Sequence, residues 1–387
     1  MVTLAPGFIP DFKAMSSNFY AGMNRQNWIK SDSVASPSQS DGSFAKLNVI
    51  VSITPLSPHI VSISDAVASR QVVRAFAPGS IGNIGPGLDI LGCALTGLGD
   101  SVSAWIVEQS GVQVIDAGHR DLPRDPTRHA SAIAATDVLH RAGAMSVGVA
   151  LRVEKNLPLA GGQGGSAASA LAGAFAVNAL LGSPLSQTDV LYAALVAEER
   201  LAGRHIDNLA PALFGGILLI RSIDPLDVVT IPVPAALRVV LVHPAMLLRT
   251  AEARAVLPDV VDRPTAMAQA AAVARMVAAF CTGDLALLRG AVEDRIAEPA
   301  RAPLLLGFIS AKRAALDAGA LGCSISGGGP TAFALADSDD AARRAGDAMI
   351  AAYRAAGVDA TARVERIDER GARLLPATRT NDKDPTP

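Results

Sequence analysis

The sequence predicts an α+β protein with two folded domains, and three observations carry that prediction. The chain has 387 residues, half of them apolar, which is enough to build two cores. Strand and helix patterns are mixed without the regular βαβ rhythm of a doubly wound fold. A segment punctuated by Pro225, Pro232 and Pro234 separates two buried-strand patterns and suits a crossing between domains. The expected partition is a disordered or non-domain extension over 1–70, domains over 71–232 and 233–372, and a flexible tail over 373–387.

Folded patterning begins near Gln71. Val72 to Ala77 reads as a short strand ended by Pro78-Gly79, and β-branched residues mark Val102 to Glu108 and Val147 to Val153 as further strands. Ile133, Val138 and Leu139 fall on one side of a helix over Arg128 to Ala142. Ser166 to Leu181 is a helix of very small residues that stops at Gly182 and Pro184, and Thr188 to Leu201 is another. Gly216 to Arg221 and Arg238 to His243 read as buried strands. Helices follow at Thr265 to Thr282, Leu304 to Ala318 and Asp339 to Ala356. Between the last two lies a glycine-interrupted hairpin, Ser324 to Ala336, and Ala360 to Ile367 is a final strand.

Composition excludes several classes. A net charge of −2 leaves no basic excess for a nucleic-acid backbone. Cys93, Cys281 and Cys323 are too few and too scattered for a disulfide framework or a zinc site, and they fit a reducing, cytoplasmic compartment. No run of about 18 uncharged apolar residues is evident, so no membrane span is expected. The first 70 residues include a Ser- and Asp-rich run from Ser31 to Ser43. They are poor in Arg and lack the order of a signal peptide, so an extension ahead of the domain is expected rather than a targeting segment.

Five segments carry chemistry. The run Pro158-Leu159-Ala160-Gly161-Gly162-Gln163-Gly164-Gly165-Ser166-Ala167-Ala168 follows a strand and opens a helix. Its glycines let backbone amides curl around an anion, and the helix N-terminus adds open amides and a positive dipole end; a tight turn is the alternative. The Lys-Ser/Thr pair of a Walker loop is missing. Asn83 and Asp89 lie in a Gly/Pro loop, where on the residues alone an Asx-turn for Asn83 and a helix cap for Asp89 are the favoured reading. Glu198 and Glu199 end a helix that leads into His205, Asp207 and Asn208. Carboxylates beside a phosphate loop suit magnesium, although a solvated helix face is the alternative. Thr250, Arg254 and Arg301 lie in the second half; a planar guanidinium suits a carboxylate, although each arginine alone reads more readily as a surface ion-pair residue. Gly319 to Leu335 is a second glycine-rich stretch.

In this order, the five segments resemble the motifs of the GHMP kinases, and within that superfamily those of the homoserine kinases. The resemblance covers about residues 71 to 370. The loop is similar to Pro-x-x-x-Gly-Leu-Gly-Ser-Ser-Ala-Ala. Gln163 stands where Leu or Met is usual, and Gly165 replaces the first Ser. What the resemblance implies is a ribosomal-protein S5 domain 2-like N-terminal domain and a ferredoxin-like C-terminal domain. It implies ATP and Mg2+ as cofactors and L-homoserine as acceptor, giving O-phospho-L-homoserine on the way to threonine. Pro158 to Ala168 would bind ATP, and Ser166 with Glu198 (or Glu199) would bind the metal. Asp89 would pair with the substrate ammonium. Arg254 and Arg301, with Thr250 from the same motif as Arg254, would bind the substrate carboxylate. Asn83, His205 and Asn208 would orient the amino acid, with Asp207 in the catalytic neighbourhood beside Asn83, Glu198 and Asn208. Members are often dimeric, so a homodimer is allowed. The other readings are a GHMP kinase for another small alcohol, such as mevalonate, and a GHMP-fold binding protein of little activity.

Overall fold

The computed structural model describes residues 71–376; the expectations for 1–70 and for most of the tail lie outside these. The first half is built on a sheet with the order β11-β1-β2-β4-β3, and β5 and β6 extend it from β2. Its strands are β1 (Val73–Gly82), β2 (Leu91–Val107), β3 (Gly111–Asp116), β4 (Gly148–Glu154), β5 (Ile217–Ser222), β6 (Asp227–Ile231) and β11 (Arg373–Leu374). Strand β2 is much longer than the sequence pattern implied. Its far half pairs with β4, and its near half pairs with β5 and with the end of β1. Only β3 and β4 run parallel among these pairs, and the helix α1 (Ala130–Arg141) connects them.

Helices α1, α2 (Gly165–Leu180), α3 (Gln187–Leu201) and α4 (Leu209–Phe214) supply the first core, which packs on Ala75, Ala77, Val102 and Leu151 of the sheet. Nearly all of α2 is buried, which explains its run of small apolar residues. A Cβ on Gly173 would stand 2.6 Å from Ser131 O, so α1 and α2 approach closely there.

The second half is a four-stranded antiparallel sheet in the order β10-β7-β9-β8, from β7 (Arg238–Pro244), β8 (Gly322–Ile325), β9 (Ala332–Ala336) and β10 (Ala360–Glu365). Numbered within the half, this is the 4-1-3-2 order of a ferredoxin-like domain. Alternation along β7 divides its residues between two cores. Val240 and Val242 face α8 (Phe308–Asp317) and α9 (Asp339–Ala355) with Met349 and Tyr353. Val239 and Leu241 face the opposite way, together with Phe333, Leu91, Ile217 and the helix α6 (Arg263–Thr282). This second cluster joins residues of both sheets, so apolar burial holds the two halves together.

Two expectations change. Arg373 and Leu374, read as tail, instead pair with Phe76 and Ala75 of β1. Strand β1, expected to end at Pro78-Gly79, runs on to Gly82, with Ser80 to Gly82 pairing with Ala94 to Gly92. Helix α6 is long and apolar enough to cross a membrane by length and composition, but it is not the uncharged run that the sequence was searched for. It carries Arg275, and Ala272, Met276, Ala279 and Phe280 are buried, the last three in the shared core. Five short elements had not been read: β3, β6, α4, α5 (Thr250–Ala255) and α7 (Ala297–Arg301).

Phe333 is fully buried in the cluster that joins the sheets. Phe333→Ala should lower the unfolding free energy by about 3–5 kcal/mol. Urea denaturation followed by far-UV circular dichroism would check this.

Candidate active site

Helix α2 opens directly from the loop Pro158–Gly164. Its N-cap, Gly164, is left-handed with φ 66° and offers no capping side chain, and no acidic residue lies in the first turn. The amide of Ala168 reaches Gly164 O at 2.8 Å, so helix geometry leaves the amides before it without intrahelical partners. They stand at the positive end of the dipole, a ready place for an anion.

Beneath the loop lies a buried ion pair. Lys155 Nζ pairs with Asp100 of β2 and donates to Gly165 O at 2.7 Å and Ser169 Oγ at 3.2 Å. Asp100 Oδ1 accepts from the amides of Asn156 and Leu157 at 3.1 and 3.2 Å. The pair therefore holds both ends of the loop. A Cβ at position 165 would stand 2.9 Å from Lys155 Nζ. Glycine, instead of the usual serine, leaves room for this ammonium. Sequence reasoning missed the pair; the available signals were a lone Asp in a strand and a Lys just ahead of Pro158.

Glu198, near the end of α3, is buried, and Ser166 Oγ donates to its Oε2 at 2.9 Å. Glu199 points away and pairs with Arg204. Helix phase thus separates Glu198, which the resemblance favoured, from Glu199, which it left possible. Burial raises the Glu198 carboxyl above its ordinary value, and the charge of His205 and the hydroxyl of Ser166 oppose that rise.

His205 and Asp207 follow in the loop before α4. His205 Nδ1 lies 3.2 Å from Asp207 Oδ1, close enough for an ion pair but off the line of a hydrogen bond. Both ring nitrogens of His205 and Asp207 Oδ1 are buried without hydrogen-bond partners among the described residues. Buried polar atoms of this kind are open to a ligand or an ordered water. Burial pushes the imidazole pKa down, but Asp207 and then Glu198 outweigh it and hold the value above normal. The neighbouring Asn208 accepts a hydrogen bond from Ser80 Oγ at 3.0 Å.

The loop after β1 is strained. Asn83, Ile84 and Asp89 have φ of 72°, 43° and 60°. A β-branched residue in this region is an outlier, and such strain collects at functional sites. Asn83 Nδ2 donates to Gly327 O at 3.1 Å, while its Oδ1 accepts from the Asp89 amide at 3.1 Å.

The second half contributes two arginines. Arg254 of α5 grips Asp89 with two hydrogen bonds of 3.1 and 2.8 Å. Burial would raise the Asp89 carboxyl, but Arg254, His205 and Arg301 outweigh it and keep it low. Arg301, at the end of α7, is only 4% exposed; it donates to Ala253 O and Gly327 O, both at 2.9 Å. No ion pair to a carboxylate forms on it among the described residues. Burial first, and the charge of Arg254 second, push its pKa down. Such a guanidinium gains strongly from an incoming anion. Thr250 is exposed at the start of α5, beside Gly328. The predicted residues thus converge on one cleft, with Thr250 at its rim and Glu199 outside it.

An open helix terminus with arginines and acids beside it suits a kinase acting on a small molecule, and the family matches make the class that of the GHMP kinases. Residues 129–216 match the family described as "GHMP kinases N terminal domain", and residues 276–355 match "GHMP kinases C terminal". The homoserine kinase of Chlorobium phaeovibrioides is 40% identical over 78% of this chain and 99% of its own length. That of Arabidopsis thaliana is 38% identical over 86% of this chain and 92% of its own. A crystal structure of homoserine kinase from Cytophaga hutchinsonii superposes with a TM-score of 0.75 at 37% identity, covering 79% of this chain and 98% of that one. The chain belongs to the homoserine kinase family, and it is an ATP-dependent kinase.

The raised His205 pKa gives a stability prediction. A raised folded value means that protonation favours the fold, fully below the ordinary 6.5 and progressively less as pH rises through the folded value. The loss of unfolding free energy in His205→Gln should therefore be greatest below that pH and shrink above it. Urea melts of both proteins from about one unit below to about two and a half above a normal imidazole value, roughly pH 5.5 to 9, would measure this.

Proposed function

We propose that the chain transfers the γ-phosphoryl group of ATP to the side-chain hydroxyl of L-homoserine, giving O-phospho-L-homoserine for threonine biosynthesis. The observation that carries the acceptor is the triad Asp89, Arg254 and Arg301. It sets one anion and two cations around a single place. An α-amino acid presents the complementary zwitterion: its carboxylate goes to Arg254 and Arg301, and its ammonium to Asp89. Asp89 and Arg254 neutralise one another in the structure, so a bound zwitterion would exchange one ion pair for two.

The open amides at the start of α2 and the glycines before it would hold the triphosphate. Ser166 Oγ and Glu198 Oε2, 2.9 Å apart, offer hard oxygen donors at that terminus. This suits Mg2+, which takes one or two protein oxygens along with phosphate and water. When bound, the cation would neutralise charge on the phosphate oxygens. Asn83, His205 and Asn208 would orient the amino acid so that its hydroxyl meets the phosphoryl group in line. Phosphoryl transfer asks for positioning and charge neutralisation more than for a covalent partner. Asp207 takes a neighbourhood role, beside His205 and packed against Gly82 and Gly92. The cysteines take none: burial pushes the thiols of Cys93 and Cys323 up to about 12. Free thiols fit the cytoplasmic location that the reading includes.

The test is ADP release with ATP, magnesium and either L-homoserine, L-serine, mevalonate or no acceptor. Stimulation by homoserine alone is expected; equal stimulation by mevalonate, which has no ammonium, would sink the zwitterion reading. In the same assay, Arg254→Ala should raise the KM for homoserine about 10- to 100-fold, and change that for ATP by less than about twofold.

A further inference from the structure

Gln163 is the residue at which the phosphate loop departs most in chemistry from the related loops, and the structure gives its side chain two partners. The residue is 1% exposed. Its backbone carbonyl accepts from the Ser80 amide at 3.1 Å, which ties the loop to β1. Its side chain reaches the opposite way, into the second sheet. Gln163 Nε2 donates to Thr331 Oγ1 at 2.9 Å, and Oε1 accepts from Arg363 Nη2 at 2.5 Å. The amide orientation follows from chemistry, because a guanidinium can only donate.

Both partners are themselves held. Thr331, just before β9, lies 3.0 Å from His243 Nδ1 of β7 through the same hydroxyl. Arg363 of β10 lies 3.1 Å from Glu365, and Glu365 accepts from Thr96 at 2.7 Å. Backbone contacts run alongside: Ser326 Oγ donates to Gly162 O at 2.7 Å, and a Cβ at Gly162 would stand 2.5 Å from Ser326 O. The carbonyl side of the loop is therefore clamped to the second sheet. The leucine or methionine usual in this loop would fill the space of Gln163 and satisfy neither Thr331 nor Arg363.

We infer that Gln163 is a positioning residue, which locks the phosphate loop to the second sheet through Thr331 and Arg363 and so sets the loop amides against the ATP phosphates. This rests on the reading of the loop as the ATP cradle. It also makes the departure at position 163 a working part of this enzyme.

The test is steady-state kinetics on the full chain. Gln163→Leu keeps the volume and removes both side-chain hydrogen bonds. Its KM for ATP should rise about tenfold, the loss expected when a hydrogen bond to a charged group is removed. Its KM for L-homoserine should stay within about twofold of wild type. Thr331→Val, which deletes one hydroxyl, should move the KM for ATP in the same direction by a smaller factor. Adding Arg363→Met to Gln163→Leu should give no further rise, because both changes remove the same contact. An unchanged KM for ATP in Gln163→Leu and Thr331→Val would overturn the inference. So would equal rises in both KM values, which mark general loosening. If Gln163→Leu does not fold, Thr331→Val decides alone. Failure of the wild-type chain to phosphorylate homoserine is a different result, and it would remove the reading beneath the inference.

Discussion

The cleft depends on three glycine-rich segments meeting backbone to backbone. Gly327 N donates to Gly82 O at 3.2 Å, Thr331 N lies 3.4 Å from Gly161 O, and Ser80 N donates to Gln163 O at 3.1 Å. Side chains would prevent this approach. A Cβ on Gly82 would stand 2.2 Å from Asp207 Oδ2, and one on Gly164 would stand 2.1 Å from Ser80 Oγ. The contact places the open terminus of α2, the strained loop after β1 and the arginines of the second half around one space. Apolar packing between the sheets gives the contact its rigidity.

Around that space, charge is arranged in layers. The Lys155–Asp100 pair lies beneath the phosphate loop and touches backbone rather than the cleft. Glu198, His205 and Asp207 line the cleft; His205 and Asp207 keep buried atoms without hydrogen-bond partners among the described residues, while Glu198 accepts from Ser166. At the acceptor end, Asp89 takes two hydrogen bonds from Arg254, whose Nε has no partner among the described residues, whereas Arg301 has only backbone carbonyls as partners. A buried cation with only neutral partners is costly, and a carboxylate relieves that cost. The same imbalance favours a zwitterion over a neutral alcohol.

Sequence pattern located the sheets and long helices well, because alternation and helical periodicity report burial directly. It did less well where local pattern and tertiary contact diverge. Gly97, Gly99 and Asp100 interrupt the apolar pattern of β2, yet the strand runs through them. The helices α4, α5 and α7, at six, six and five residues, are too short to show a period. Motif order assembled the site residues, but could not choose between Glu198 and Glu199, because only helix phase and packing do so. Lys155 and Asp100 lie 55 positions apart, and Gln163 and Arg363 lie 200 apart. No local signal links such pairs. The departures at Gln163 and Gly165, which read as defects against the family pattern, acquire reasons only when Arg363, Thr331 and Lys155 come into view.

The most direct measurement is a crystal structure of the chain with L-homoserine, magnesium and a non-hydrolysable ATP analogue. The account predicts the α-carboxylate between Arg254 and Arg301, the ammonium at Asp89, and the triphosphate on the α2 terminus with the cation at Ser166 and Glu198. An amino acid bound away from Arg301, with the Asp89–Arg254 pair intact and unengaged, would contradict it.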